Sequence, residues 1–130
     1  MLERINVAGS PKAQGPYVSA VRAGDFLYLS GQGPVDPATG VMQSDATVQE
    51  QTRLVLSNLQ KVLQGCGADL KDVVKCSVFL IDVNDFSAMN EVYAEVFGAD
   101  KPARTTVGTA MVAPGMKVEI DCVAYSPQPS

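Results

Sequence analysis

Two charged residues in the C-terminal third of the chain stand where they could do chemistry. Arg104 follows Pro102-Ala103 at the start of a strand-like segment, and a guanidinium can grip a carboxylate with two parallel hydrogen bonds. Glu119 lies between Val118 and Ile120, so strand alternation places it on the opposite face from those two residues. A carboxylate there could orient or deprotonate a water. By position alone, both residues are more typical of solvated surface charges.

Four other residues are weaker candidates. Asn90 falls four residues after Phe86, close to an apolar helical stripe, where burying an unsatisfied amide costs roughly 1–3 kcal/mol. A hydrogen bond from the helix to a loop would account for it. Tyr17, Ser30 and Gly31 lie at strand edges and supply hydroxyls and a closely approachable backbone. The segment 31–33 is too short and wrongly placed for a dinucleotide fingerprint.

The chain contains no histidine, which removes the commonest general base, the Ser-His and Cys-His nucleophile pairs and the usual zinc ligands. Catalysis would have to use carboxylates, Tyr, Lys, backbone groups and water. Cys66, Cys76 and Cys122 have unrelated spacings and are predicted to be reduced thiols. We expect Cys76 and Cys122 in the core and Cys66 to be the more exposed thiol.

Length and composition indicate one globular domain. The 130 residues are 46% hydrophobic and 18% charged, which suits a single core. No apolar run could span a bilayer, and the first residues lack a secretory pattern, so the cytoplasm is the expected compartment. A net charge of −4 argues against a broad nucleic-acid surface, although a local anion site stays open.

The elements that must position these residues follow from hydrophobic periodicity and turn signals. Strands are predicted over residues 2–7, 17–22, 25–32, 73–81, 104–111 and 117–125. A capping box over residues 47–50 begins a helix that ends at Gly65, with an apolar stripe behind it. A second helix, capped by Asn84 or Asp85, ends at Gly98. The tail, 126–130, is expected to fray.

This order predicts an α+β domain with a single mixed sheet and two helices packed on one face. The other face then lacks cover, and apolar residues such as Phe79, Ile81 and Val107 fall on it. An uncovered apolar face predicts self-association.

A hairpin about Pro114 would pair the last two strands and set Glu119 opposite about Thr109. That position is five residues from Arg104, or roughly 16 Å along a strand at about 3.3 Å per residue. One chain could hardly place both groups on one small substrate. A shared site would therefore combine Arg104 of one subunit with Glu119 of its neighbour.

Five segments spread in order over nearly the whole chain carry a resemblance. They are Gly15-Pro16-Tyr17, Ser30-Gly31-Gln32, residues 84–90, Pro102-Ala103-Arg104 and Val118-Glu119-Ile120. Together they resemble the reactive intermediate deaminase family, also called RidA, YjgF or L-PSP. The segments around Arg104 and Glu119 are the most specific.

That resemblance implies a chorismate-mutase-like fold assembled as a homotrimer, with sites in the clefts between subunits. It implies hydrolysis of enamines and imines, such as 2-aminoacrylate and 2-iminopropanoate, to 2-keto acids and ammonia, with no cofactor and no metal. Arg104 would bind the substrate carboxylate and Glu119 would position the attacking water. The remaining expected site residues, which would line or brace the cleft or offer backbone to the substrate, are Tyr17, Ser30, Gly31, Asn90 and Thr106.

Thr105, Thr106 and Gly108 depart from the usual family pattern, which leaves substrate preference open. Two other functions also stay open. One is a ribonuclease, against which the acidic balance and missing histidines count. The other is a non-enzymatic module that binds small carboxylates or a partner protein through Arg104 and does not need Glu119.

Overall fold

The computed structural model describes residues 2–128, in which six strands and two helices follow the predicted order. The strands are β1 (Leu2–Ile5), β2 (Ala20–Ala23), β3 (Phe26–Gln32), β4 (Val73–Leu80), β5 (Ala103–Gly108) and β6 (Val118–Tyr125). The helices are α1 (Val48–Gly65) and α2 (Phe86–Phe97), and short 3-10 turns precede β4 and α2. The first two strands and β5 are shorter than predicted.

All six strands form one mixed sheet in the order β1-β2-β3-β6-β4-β5. β5 runs parallel to β4, and β6 pairs antiparallel with both β3 and β4. The predicted hairpin between β5 and β6 is therefore wrong. β6 is instead a central strand, because its two edges are paired with β3 and β4, and every second residue of it is buried. β5 instead pairs with β4 after α2 crosses over, as a parallel connection requires.

Helix α1 begins and ends as its sequence predicts. The Glu50 amide donates to Thr47 Oγ1 at 3.1 Å and the Thr47 amide donates to Glu50 Oε1 at 3.2 Å. Hydrogen bonding of the Glu50 carboxyl to the Thr47 backbone and side chain lowers the pKa of that carboxyl. The predicted apolar stripe is buried, and two amides, Gln51 and Asn58, are buried with it.

Helix α2 is stopped by Gly98, whose φ of +57° is left-handed. Asp85 is its N-cap by position, but the Asp85 side chain makes no capping hydrogen bond. Met89, Tyr93 and Phe97 are buried against the sheet, whereas Phe86 is 44% exposed.

Both helices pack on one face of the sheet and enclose a single core. Cys76 and Cys122 are buried in that core and lie opposite each other on β4 and β6, while Cys66 is half-buried; all three thiols are free. The other sheet face is open, as predicted. Val107 and Ile81 are exposed there, and Phe79 is partly exposed.

The end of the chain is held at Ser126. Its amide donates to the Asp25 carbonyl at 2.7 Å, and Arg22 Nη1 donates to the Ser126 carbonyl at 2.7 Å. The fraying expected from residue 126 therefore does not begin there, and residues 129–130 lie outside the described part of the chain. No helix within residues 2–128 has the length and apolar character needed to cross a membrane.

Candidate active site

Glu119 lies on the open face of the sheet, next to a bulge in β3. The β3–β6 register shifts between Leu29 and Gln32, so Ser30 and Gly31 together face one residue of β6. Bulges of this kind re-aim the chain and recur next to active sites. A Cβ built on Gly31 would lie 2.9 Å from Glu119 Oε2. The Glu119 carboxyl therefore packs directly on position 31 and leaves no room there for a side chain larger than that of glycine.

The Glu119 carboxyl opens onto a cavity of about 240 Å³, called here the Glu119 recess. Tyr17 and Gly31 also line it, together with a largely apolar wall that includes Val35, Met42 and Met116. Burial raises the pKa of the Glu119 carboxyl, and the nearby carboxylate of Asp121 raises it further. A carboxyl in such a place can hold one water and exchange a proton with it.

Arg104 lies at the other side of the molecule, on the edge strand β5, against helix α2. Its guanidinium carbon is 4.7 Å from the ring centroid of Tyr93 and 5.5 Å from that of Phe86. Its Nη1 lies 3.9 Å from the sulfur of Met89. Two rings that flank a guanidinium attract and orient it.

The guanidinium held in this way has no carboxylate partner within residues 2–128. The ion pair found in that part of the chain joins Arg53 to Glu95 at 2.7 Å. Arg104 therefore presents oriented and unpaired donors, which is the arrangement that a bidentate carboxylate ligand requires. We call Arg104 and its three α2 neighbours the Arg104 cage.

Arg104 and Glu119 lie on opposite faces of the sheet. Arg104 pairs with Cys76, which pairs with Cys122, and directly opposite residues share a face. Glu119 is an odd number of residues from Cys122 and so points to the other face. Two strand spacings of about 4.8 Å and three residues at about 3.3 Å separate their backbones by roughly 14 Å. The sequence predicted a large distance between Arg104 and Glu119 from a β5–β6 hairpin. The hairpin is wrong, but the distance is still large because β4 lies between the two strands.

The other predicted site residues divide between these two places. Tyr17 lines the Glu119 recess, and its hydroxyl accepts a hydrogen bond from the Gln14 amide at 3.1 Å. Ser30 Oγ donates to the Val18 carbonyl at 2.6 Å and so braces the chain just before β2.

Asn90 and Thr106 lie instead on the side of Arg104. Asn90 lies one helical turn after Phe86, so the two side chains are neighbours on the surface of α2, the helix that contributes the rings of the Arg104 cage. Its side chain makes no hydrogen bond within the described residues, so the helix-to-loop bond expected of it is wrong there. Thr106 lies on the edge strand β5, and its Oγ1 is buried without a partner in residues 2–128. The structure thus separates the predicted residues into two groups, one around Arg104 and one around Glu119.

Two of the three departures from the family pattern have structural causes. A Cβ on Gly108 would lie 2.3 Å from Val83 Cγ1, so the small residue makes room for the turn that leads into α2. Thr105 Oγ1 accepts a hydrogen bond from Lys75 Nζ at 2.9 Å on the open face.

Sequence reasoning missed the buried amide of Gln51. Its Nε2 donates to the carbonyls of Gln43 and Gly115, both at 3.0 Å, and its Oε1 accepts from the Lys117 amide at 2.8 Å. The Gln51 side chain therefore joins helix α1 to two loops. The available signal was a polar residue beside the apolar stripe of a helix, which must find partners once it is buried.

Asn58, seven residues further along α1, was missed in the same way. Its Nδ2 donates to the carbonyls of Gly33 at 3.2 Å and Val35 at 2.8 Å. Both amides thus hold loops that line the Glu119 recess. No group of three or more His, Cys, Asp or Glu side chains in the described part of the chain is placed to hold a metal ion.

Comparison with known proteins agrees with this fold and these motifs. Residues 7–126 match the family model described as Endoribonuclease L-PSP. The chain is 45% identical to a RutC family protein of Pyrococcus horikoshii, over 96% of this chain and 98% of that one. It is 40% identical to a 2-iminobutanoate/2-iminopropanoate deaminase of Capra hircus, over 92% and 87%.

A solved structure of Escherichia coli TdcF with bound serine superposes with a TM-score of 0.87 at 37% identity, over 95% of this chain and 98% of that one. The protein is therefore a small α+β domain with one mixed sheet and two helices on one face. The chain belongs to the L-PSP family, which is the reactive intermediate deaminase family that its motifs resemble.

Proposed function

We propose that this protein hydrolyses reactive enamines and imines derived from amino acids, such as 2-aminoacrylate and 2-iminopropanoate, to 2-keto acids and ammonia. The observation that carries the proposal is the presence of two groups, which we treat as half-sites: an unpaired, ring-held guanidinium and a half-buried carboxyl beside an open recess. A relative at 40% identity bears the name of such a deaminase. Another relative has been solved with the amino acid serine bound. We also propose that the protein acts in the cytoplasm.

The reaction needs orientation and a placed water more than strong chemical activation. Arg104 holds the substrate carboxylate, so the imine carbon faces the water on Glu119. Water attacks the protonated imine carbon and gives one proton to the Glu119 carboxylate. Glu119 then returns that proton to the nitrogen and the carbon–nitrogen bond breaks. As the ketone forms, the hydroxyl gives its proton to Glu119, which passes it to the departing ammonia, so the nitrogen leaves as ammonium. One water is consumed and one ammonium released, so no oxidant or cofactor takes part.

We propose that the two half-sites meet between the subunits of a homotrimer. Arg104 sits on the edge strand β5, where an adjoining subunit can approach. Within one chain it lies on the opposite sheet face from Glu119. The exposed apolar residues of the open face would be covered by the same assembly.

An amino-acid oxidase that generates 2-iminopropanoate from alanine provides the direct test. Wild-type protein should accelerate the loss of the imine, and Arg104→Ala and Glu119→Ala should each abolish the acceleration. Arg104→Lys is the matched control. It keeps the positive charge but cannot form two parallel hydrogen bonds to a carboxylate, so it separates the effect of charge from that of bidentate binding. No acceleration by pure trimeric protein would refute the proposal for this substrate.

A mixed-subunit experiment tests where the two residues meet. Arg104→Ala and Glu119→Ala chains, each inactive alone, are unfolded together and refolded in equal amounts. If the site is shared, about one quarter of the sites regain both groups in a randomly mixed trimer. No recovery in mixed trimers, with each variant shown to be trimeric by light scattering, would refute the shared site.

Endoribonuclease activity is a second candidate, because the family description names it. The net charge of −4 weighs against it, since RNA binding draws on clustered positive charge. An RNA cleavage assay on the same variants separates the two functions. Substrate-like carboxylates that bind through Arg104 without any turnover would instead indicate a non-enzymatic binding module.

A further inference from the structure

The orientation of the Arg104 side chain depends on few contacts. Arg104 lies half-buried on the edge strand β5, and immobilising a side chain with so many rotamers costs affinity. A two-pronged grip on a carboxylate requires one direction of the planar guanidinium. Within residues 2–128 the hydrogen-bonding contact of that guanidinium is a weak one, from Nη1 to the Met89 sulfur at 3.9 Å. The rings of Tyr93 and Phe86 must therefore supply most of its orientation.

The two rings are not equivalent. The guanidinium carbon is 4.7 Å from the ring centroid of Tyr93 and 5.5 Å from that of Phe86. Tyr93 is only 6% exposed, whereas Phe86 is 44% exposed. The attraction between a cation and a ring is about twice as strong at a desolvated site as at an exposed one. Tyr93 is therefore the main contact that orients Arg104.

Tyr93 is itself fixed by the core. Its ring lies 4.7 Å from the ring of Phe97, one helical turn later, and is tilted from it by 46°. Met89 precedes Tyr93 by one turn on the same face of α2. Met89 and Phe97 are both buried in the core. A ring packed among such neighbours stays in one position, so Tyr93 passes the rigidity of the core to the guanidinium.

The hydroxyl of Tyr93 takes no part in this contact. It is buried and has no hydrogen-bond partner in the described part of the chain. Burial raises the pKa of the Tyr93 phenol, and the neighbouring Cys76 thiol raises it further, so the phenol stays uncharged. A phenolate would instead pair with the guanidinium and occupy the donors that a carboxylate needs. Tyr93 thus holds Arg104 through the face of its ring.

We propose that Tyr93 is the positioning residue for carboxylate binding, and that its ring, not its hydroxyl, keeps Arg104 in the orientation that a two-pronged grip requires. The inference rests on the proposed function. Arg104 touches the substrate, and Tyr93 acts only through Arg104. Loss of the ring therefore weakens the binding of the carboxylate, while the hydrolysis step, which depends on the water at Glu119, is changed much less.

Steady-state kinetics on 2-iminopropanoate, with titration calorimetry on its 2-keto acid pyruvate, provide the test. Tyr93→Leu should raise KM and the Kd of pyruvate about tenfold, because binding must then immobilise a side chain that the ring otherwise holds in advance. Its kcat should fall by less than about threefold. Tyr93→Phe keeps the ring and loses no hydrogen bond, so it should restore both constants. Phe86→Leu removes the more distant and more exposed ring and should raise KM by less than about threefold.

A series of fluorinated phenylalanines at position 93 separates positioning from packing. Fluorine withdraws electrons from the face of the ring and changes its shape little, so the attraction for a cation weakens with each fluorine. KM and the Kd of pyruvate should rise stepwise along the series. A residue that only fills the core would give constant values, and the series keeps the test available if Tyr93→Leu does not fold.

Constant values along the series, or an unchanged KM and Kd in active, trimeric Tyr93→Leu, would overturn the inference and leave the deaminase proposal standing. A loss of affinity in Tyr93→Phe as large as that in Tyr93→Leu would also overturn it, because the effect would then belong to the hydroxyl. Wild-type protein that hydrolyses no imine, but whose affinity for pyruvate falls along the series, would overturn the proposed function alone.

Discussion

Gly31→Ala tests the close packing between β3 and the Glu119 carboxyl. The added Cβ would lie 2.9 Å from Glu119 Oε2, and an ordinary contact begins at 3.4 Å, so the carboxyl must move by about half an ångström. A misplacement of 1 Å at a reacting group costs about 10²-fold in rate, so half that displacement is expected to cost about tenfold. Because φ at Gly31 is not positive, alanine introduces no backbone strain.

The assay measures kcat for 2-iminopropanoate together with the thermal midpoint of unfolding. We expect kcat to fall about tenfold while the midpoint changes little, because the displaced group is the free end of a side chain. Gly15→Ala is the matched control, since its Cβ meets the Tyr17 ring at 3.4 Å, an ordinary contact distance. Full activity in Gly31→Ala would show that the position of the Glu119 carboxyl does not limit the reaction.

Three further predictions follow from the site and its support. Arg104→Lys should raise KM for carboxylate substrates more than it changes kcat, and an unchanged KM in steady-state kinetics would contradict the two-pronged grip. Burial raises the pKa of Glu119, so its contribution to stability is fullest below the unfolded value of about 4.3 and is lost as pH rises through the folded pKa. Glu119→Gln should therefore gain stability relative to wild type as urea unfolding is moved from pH 4 towards pH 8, and a constant difference would refute the shift. Gln51→Leu should lower the free energy of unfolding by about 3 kcal/mol, because it leaves three partly buried backbone groups without their present partner, whereas a loss below about 0.5 kcal/mol would show that water replaces Gln51.

Local signals in the sequence predicted local structure well. The capping box at Thr47 and Glu50, the stop at Gly98 and the alternation in β6 each depend on neighbouring residues, and each is present in the structure. The prediction that β5 pairs with β6 was wrong. A short connection between two strands favours a hairpin only when no other strand pairs with the same edge. Here β4 lies between them, and nothing in the sequence of the connection reveals this.

The sequence identified the candidate site residues better than it predicted their positions in the fold. Motifs singled out Arg104 and Glu119, but they did not show that the rings around Arg104 come from α2. The bulge at Ser30 and Gly31 depends on how β3 pairs with β6, a long-range feature that local patterns do not encode. Gln51 was overlooked because its partners are backbone atoms of distant loops, and side-chain patterns carry no information about them.

Placing the two charges on opposite faces of one sheet has a chemical consequence. At 4 Å, opposite charges near a protein surface attract by about 4 kcal/mol, so an adjacent Arg104 would lower the pKa of Glu119 and occupy its own donors with that carboxylate. The roughly 14 Å between their backbones prevents this pairing within one chain. Tyr93 and Phe86 hold the guanidinium without neutralising it, and the recess keeps the pKa of Glu119 raised by burial. Within one chain, therefore, neither charge neutralises the other, and the guanidinium of Arg104 stays free to pair with another carboxylate.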